Sequence, residues 1–210
     1  MASVVTSISG GRTQERGRQR RAALVEAARL LLNTHDLDTL TLAEIGEAAG
    51  IPKSSAYHLF SDVNALWQAV AQEVEQDLIA AMEAAGWGDG SNWQTIVADF
   101  TRAGVDFFNR DWAAAQLLIG PKTLPVIKLA SREGDHALAR LLHDRIARHF
   151  KLAIDKTRAA EIFFHAIEIA DLFFGLSVIR HRTITPAYRD EAVAASIAYL
   201  TIYLPGPSTA

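Results

Sequence analysis

Apolar residues recur at three- and four-residue spacing along most of this 210-residue chain, and polar or Gly/Pro breaks separate the runs. Leu24, Ala28 and Leu31 mark the inner stripe of a first helix over residues 18–34. Two short helices follow within 41–60, and a long one, opening at Ser61 and reaching residue 85, carries Leu66, Val70, Val74, Leu78 and Met82. GWGDGSN at 86–92 breaks it and is the clearest linker. Ser91 or Asn92 caps a fifth helix bearing Trp93, Ile96, Phe100 and Phe107; Asp111 opens a short one that Gly120 and Pro121 stop. Pro125 predicts an irregular stretch over 124–131, then a helix over 135–152. Asp155 caps a long helix reaching residue 182, and Thr185 and Pro186 start the last, which ends at Pro205. No alternating run bounded by hairpin turns occurs, so the expected fold is all-α.

The segment 41–60, TLAEIGEAAGIPKSSAYHLF, is the most informative. Thr41 and Glu44 form a T-x-x-E capping box, and Leu42, Ile45 and Ala49 give a short buried stripe. Gly50 ends that helix because it tolerates positive φ. Pro52 suits a helix start, and 53–60 forms the second helix, with Ala56 and Phe60 facing inward. Its outer face carries Lys53, Ser54, Ser55, Tyr57 and His58, all able to hydrogen-bond to phosphates or base edges. This is the layout of a helix-turn-helix; the alternative is a helical hairpin with no DNA role.

Residues 24–66 resemble the amino-terminal domain of tetracycline-repressor (TetR) type transcriptional regulators. The resemblance rests on the helix LVEAARLLL, the T-x-x-E-I motif ending in A-A-G, and Tyr57–Phe60 as Y-x-x-F, in that order. It departs at Asp36, where Gly is usual and a left-handed conformation is expected, at Ser54, and at Val63, where a phosphate-contacting Lys is common. The resemblance implies an amino-terminal helix-turn-helix joined by a long helix to a larger domain for effector binding and dimerisation. The expected organisation is a flexible basic arm over 1–15, a DNA-binding domain over 16–62, an effector and dimerisation domain over 63–205, and a tail over 206–210.

Charge sharpens this picture. The chain has net charge −3, but its first sixty residues hold seven Lys/Arg against six Asp/Glu, and the rest fourteen against eighteen. Arg12, Arg16, Arg18, Arg20 and Arg21 face only Glu15 within ten residues. Such a tract reads as an arm on phosphates or in a minor groove, with Arg16, Arg18 and Arg20 as contacts, over the alternative of a solvated tail. Thr41 is the further expected contact at the helix start. With half its residues hydrophobic, no cysteine and a mean hydropathy of +0.08, the chain has no disulfide framework or thiolate metal site and suits a reducing cytoplasm. No run of about 18 uninterrupted apolar residues predicts a membrane span, and the first fifteen residues show no signal core, so neither membrane nor secretion is expected.

The helix ahead of the last is apolar nearly all round between Glu161 and Ile179, so both of its sides must be covered. One side meets the chain's own core; the other meets a partner or further interior. The resemblance implies a homodimer through the last two helices, with Phe173, Phe174, Val193, Ile197 and Leu200 at the seam, presenting two reading helices to double-stranded DNA one turn apart. Along that helix runs one polar stripe, Glu161, His165, Glu168 and Asp171. With His143 it sketches a metal site, but no dense ligand motif accompanies it. The other readings are a solvated edge, a hydrogen-bonded seam, or the lining of a pocket. The resemblance implies a small, largely apolar effector among the central helices, and Phe107, Phe108, Trp112, Leu117 and Phe164 supply walls, with His143, His165 and Glu168 as polar groups. No catalytic motif, cofactor loop or metal motif emerges. The alternatives are a helical dimer acting on a protein partner, or a helical enzyme using Glu161, His165 and Glu168.

Overall fold

The computed structural model describes residues 8–88 and 92–204, with side chains from residue 14 on. Among these residues all regular structure is helical: α1 (Ile8–Leu32), α2 (Leu42–Ala48), α3 (Lys53–Leu59), α4 (Val63–Ala84), α5 (Trp93–Arg110), α6 (Trp112–Ala114), α7 (Pro125–Ala147), α8 (Lys156–His181) and α9 (Pro186–Thr201). A π-helical turn over Ala115–Ile119 continues α6. The chain divides into two compact units, Met1–Ala71 and Gln72–Ala210. The expected arm over residues 1–7, the Ser91 cap, residues 89–90 of the expected linker, Pro205 and the tail over 206–210 lie outside the described residues.

In the first unit, α1 buries Leu24, Val25, Ala28 and Leu32, while Leu31, expected inside, is half-buried. Leu42 and Ile45 of α2, Ala56 of α3, Phe60 just after it, and Leu66 and Val70 of α4 complete the core. α1 begins at Ile8 rather than near residue 18, which corrects the expected helix start and places residues 8–15 of the expected arm in helix. The tract is rich in Arg, Gln and Glu, which favour helix, and Glu15 pairs with Arg18 and Gln19 one turn later. Gly17 costs such a helix only about 1 kcal/mol. Asp36 keeps a negative φ, since among described residues only Arg182 is a non-glycine with positive φ. Its substitution for the usual Gly therefore introduces no strain.

Two further expectations are corrected at helix starts. Asp62, not Ser61, caps α4: its Oδ1 accepts the Ala65 N–H at 2.8 Å. Pro125 does not make an irregular segment. It occupies the first helical position, where a missing N–H costs nothing, and α7 runs unbroken for 23 residues. Asn92 caps α5 by accepting from the Thr95 amide at 2.7 Å, and Asp155 caps α8 through the Arg158 amide at 3.0 Å.

In the second unit α8 packs between α7 and α9. The Ser196 hydroxyl donates to the Ala166 carbonyl at 3.1 Å and ties α9 to α8. The α8–α9 turn reverses at Arg182 (φ 58°) and is stapled to the end of α5. Asn109 Oδ1 accepts from the Ile184 amide at 2.8 Å, and its Nδ2 donates to the Ile184 carbonyl at 2.9 Å. By length and composition α8 is apolar enough to cross a bilayer. Here it is instead the central helix of a packed bundle, with carboxylates midway along it.

Because Asp62 holds the α4 start, Asp62→Ala should lower stability by about 1 kcal/mol in urea unfolding, whereas Ser61→Ala should change it by less than about 0.5 kcal/mol. Equal losses at the two positions would return the cap to Ser61.

Candidate nucleic-acid interface and ligand cavity

The capping box of α2 is formed on both sides. Thr41 Oγ1 accepts the Glu44 amide at 3.3 Å, while the Glu44 carboxylate accepts from the Thr41 amide at 2.8 Å and from its hydroxyl at 2.7 Å. These bonds, the side-chain one first, hold the Glu44 carboxyl below its ordinary range. The Thr41 hydroxyl hydrogen is thereby committed to Glu44, so Thr41 donates to a phosphate only by giving up the cap. Gly50 turns the chain at φ +65°, and the Ile51 amide closes the turn on the Gly46 carbonyl at 2.8 Å.

The Pro52 carbonyl then accepts from the Ser55 and Ala56 amides and starts α3. Ala56 and Phe60 point inward at 0% and 3% exposure. At about 100° per residue, Ser54 and His58 lie opposite that buried stripe, with Tyr57 on one flank and Ser55 on the other. Lys53, Ser54, Tyr57 and His58 are exposed; Ser55 is half-buried.

The arginines divide by role. Arg21 donates from Nη1 to the Leu59 carbonyl at 3.1 Å and lies 4.0 Å over the Phe60 ring, so it braces the end of α3 while remaining exposed. Arg16 and Arg20 are exposed on one face of α1 because they are four apart. Arg18 lies on the opposite side, paired with Glu15. The sequence reading gave Arg21 no bracing role; the legible signal was its place one helical turn before the buried Leu24. The Arg12 side chain lies outside the described residues.

The second unit holds a cavity of about 400 Å³. Its walls include Leu78 and Met82 of α4, Phe100 and Phe108 of α5, Leu138 of α7 and Phe174 of α8. Of the eight side chains expected in a pocket, Phe108 and Glu168 line it. Phe107 is buried beside Phe108 but off the wall. Leu117 is fully buried while Leu118 and Ile119 reach the cavity; the extra residue in the π-helical turn rotates the facing positions past those of a 3.6-residue helix. Trp112 lies under the Arg182 guanidinium at 4.8 Å, and Phe164 stacks on His136 at 4.2 Å. His143 contacts Asp144 and the Phe163 ring, and His165 is exposed and hydrogen-bonded to the Tyr199 hydroxyl at 3.0 Å. The sketched metal cluster therefore does not assemble, and among the described residues no three His, Asp or Glu side chains form a metal-holding group.

What the cavity does contain is carboxylates. Glu75 of α4, Asp135 of α7, and Glu168 and Asp171 of α8 all line it, against Lys128 and Arg132 of α7. Arg132 Nη1 donates to Glu168 at 2.7 Å. Gly134 lets Glu75 approach the α7 backbone, for a Cβ there would overlap its carboxylate. Burial first, then Glu168 and Glu75, pushes Asp135 up to about 7, with Arg132 opposing. Burial, then Asp135 and Glu168, raises Asp171 well above the ordinary range, and burial also raises Glu75. Glu75, Asp135 and Arg132 were not singled out from the sequence. The legible signal was Glu75, three residues before Leu78 and seven before Met82, a carboxylate within a buried stripe.

An all-helical chain with a glycine-turned helix pair, exposed polar groups on the second helix and a cavity in a separate unit belongs to the class of DNA-binding regulators. Residues 24–70 match the family described as bacterial regulatory proteins, tetR family, so this amino-terminal segment is the part of the chain that the family model describes. Its fold is similar to a TetR-family transcriptional regulator from Streptomyces coelicolor, at 20% identity and TM-score 0.65, covering 88% of this chain and 99% of that one. It is also similar to the TetR family repressor AlkX from Dietzia sp., implicated in biodegradation of n-alkanes, at 15% identity and TM-score 0.53, covering 89% and 98%. A third similar fold is the dihydroxyacetone kinase operon activator DhaS, at 13% identity and TM-score 0.55, covering 89% and 98%. No curated protein matches the chain. The family is one of regulators, not of enzymes.

The raised carboxyls carry a pH signature. A carboxyl whose folded pKa lies above its unfolded value binds more protons in the folded state, so its contribution falls as pH rises from near 4 through about 7. Thermal unfolding should therefore show the protein losing stability between about pH 5 and 8, each tenfold difference in proton affinity being worth about 1.4 kcal/mol. Asp135→Asn with Asp171→Asn should flatten that slope and raise stability at pH 8. An unchanged slope would place the source elsewhere.

Proposed function

We propose that the chain is a cytoplasmic repressor that binds a palindromic operator as a homodimer and releases it when a small, largely apolar molecule fills the cavity of the second unit. The observation that carries this reading is α3, whose exposed face offers Ser54 and His58 centrally and Lys53 and Tyr57 beside them, while Ala56 and Phe60 anchor it. Lys53 and Tyr57 fix the helix on phosphates; Ser54, His58 and, from the flank, Ser55 contact base edges. Arg16 and Arg20 add phosphate contacts from one face of α1. Similar folds carry both signs of regulation, AlkX as a repressor and DhaS as an operon activator. Repression is the simpler reading, because occupancy of an operator needs no further contact surface.

For the dimer, exposure moves the seam from the residues first expected. Phe174 and Leu200 are 4% and 0% exposed and belong to the protomer's own core, and Val193 and Ile197 are half-buried, as is Phe173. The exposed apolar side chains of these helices are Leu172, Leu176 and Ile179 on α8, which also line the cavity, and Ile202 just past α9, beyond the exposed Ala194 and Ala198; the seam is proposed on the α9 side. Small residues there let two copies approach closely, and covering this face removes an apolar patch from water.

Release needs a coupling between sites. α4 places Leu66 and Val70 in the first core and Leu78 and Met82 on the cavity wall, so one helix is shared by both. A ligand that prefers the DNA-incompetent arrangement by about 1.4 kcal/mol shifts the balance tenfold.

Mobility shifts on fragments of the chain's own upstream region test the DNA reading. Binding should be sequence-selective and weaken steeply with salt; Lys53→Ala should weaken all sequences alike, whereas His58→Ala should alter preference among them. Absence of any salt-sensitive, selective shift would sink the proposal. Sedimentation should show a dimer at micromolar concentration and a folded monomer after Ala198→Arg, which alters an already exposed position. A dimer that survives Ala198→Arg would move the seam to another face.

A further inference from the structure

We infer that the cavity of the second unit takes an organic cation, with a protonated-amine or quaternary-ammonium head on an apolar body. This rests on the effector reading only for its consequence on DNA; the chemistry of binding stands on the cavity itself. Four carboxylates from three helices line the same space of about 400 Å³, against two cations, both on α7. One of those cations, Arg132, is already paired with Glu168. Neither Asp135 nor Asp171 is hydrogen-bonded to a described residue. The surrounding walls are Leu78, Phe100, Phe108 and Phe174, which offer no donor and present aromatic rings that favour a cation over an anion.

Each class of occupant can be weighed against that lining. An anion would meet unpaired carboxylates. A neutral apolar molecule would displace water from them without replacing its hydrogen bonds, which is costly. A small hard metal ion needs several donors converging on one point, and among the described residues no three acidic or histidine side chains do so. An organic cation spreads its charge over a volume matching dispersed carboxylates and buries its body against the apolar walls.

Charged groups on three helices face Asp135 and Asp171. They are Glu75 on α4, Lys128 and Arg132 on α7, and Glu168 on α8, while Glu133 of α7 acts on Glu75; α5 contributes only the uncharged Thr101. The empty site relieves its charge by taking up protons, and a bound cation takes over that role. Binding near neutral pH therefore releases protons, and the affinity rises with pH.

The test is calorimetric titration of the full chain at about pH 8 with three probes sharing one body: octyltrimethylammonium, 1-octanol and octanoate, each below its aggregation concentration. The cation should bind roughly tenfold or more tighter than the alcohol, with octanoate weakest. Its heat should depend on buffer ionisation, and its affinity should fall at about pH 5.5. The Asp135→Asn/Asp171→Asn variant, checked for native circular dichroism and melting, should bring the cation down to the alcohol's affinity. Equal or tighter binding of octanol or octanoate, no binding of any probe, or a preference that survives in the folded variant would overturn the inference. The effector reading fails separately. A cation that binds with this carboxylate dependence, yet leaves the shifted DNA fragment bound, removes the release step and keeps the chemistry of the cavity.

Discussion

The architecture of the second unit follows from one constraint, the need to cover a 26-residue helix that is apolar nearly all round. A lone amphipathic helix needs one packing surface; α8 needs several. α7 and α9 cover two sides, with Phe163 and Ile167 buried, and Phe174 packs against Phe108 of α5. What they leave open is decided by the same helix: Leu172 and Ile179 remain 60% and 57% exposed. An apolar surface left open on a helix so well packed elsewhere is a surface with a further use. Leu172 and Ile179 both line the cavity, so the cavity is a consequence of the same sequence feature.

The polar stripe on α8 shows how helical geometry divides a pattern that reads as continuous. Glu161 and His165 are four apart and stay together at the exposed edge, where His165 meets Tyr199 of α9. Each of the next two steps is three residues, which falls short of a full turn by about 60°. By Asp171 the stripe has rotated from the surface into the cavity between α7 and α8. The stripe thus divides: Glu161 and His165 lie at the exposed edge, with His165 hydrogen-bonded across to α9, and Glu168 and Asp171 line the cavity.

Local signals in the sequence were decoded well because they act locally. The capping box at Thr41, the turn at Gly50 and the Asn92 and Asp155 caps each depend on residues within one helical turn. Errors arose where local rules were ambiguous or where contacts were distant. Pro125 reads equally as a breaker or as a first helical residue, and only the continuation of α7 decides. The π-helical turn broke the 3.6-residue count, which moved the wall from Leu117 to Leu118. Phe174 and Leu200 were placed at the dimer seam since helical spacing marks an apolar face without saying which core it joins. The carboxylate cluster was the hardest to read. Glu75 and Asp135 are sixty residues apart in the chain, and nothing in either neighbourhood announces the other.

Burying those carboxylates is costly for folding, and the cost bears on regulation. A cavity lined by paired charges or by aliphatic groups alone would be more stable when empty and indifferent to what enters it. Unpaired carboxyls in an apolar space leave the empty state with a free-energy deficit that a suitable ligand removes on binding. That relief enters the ligand's differential affinity for the state in which the carboxyls are most buried. α4 carries both Glu75 at the cavity and Leu66 and Val70 in the first core, so a change in how the carboxyl is accommodated acts on a helix the reading unit also needs. On the proposed effector reading, the deficit that lowers stability at neutral pH is the source of the free energy by which occupancy biases the fold.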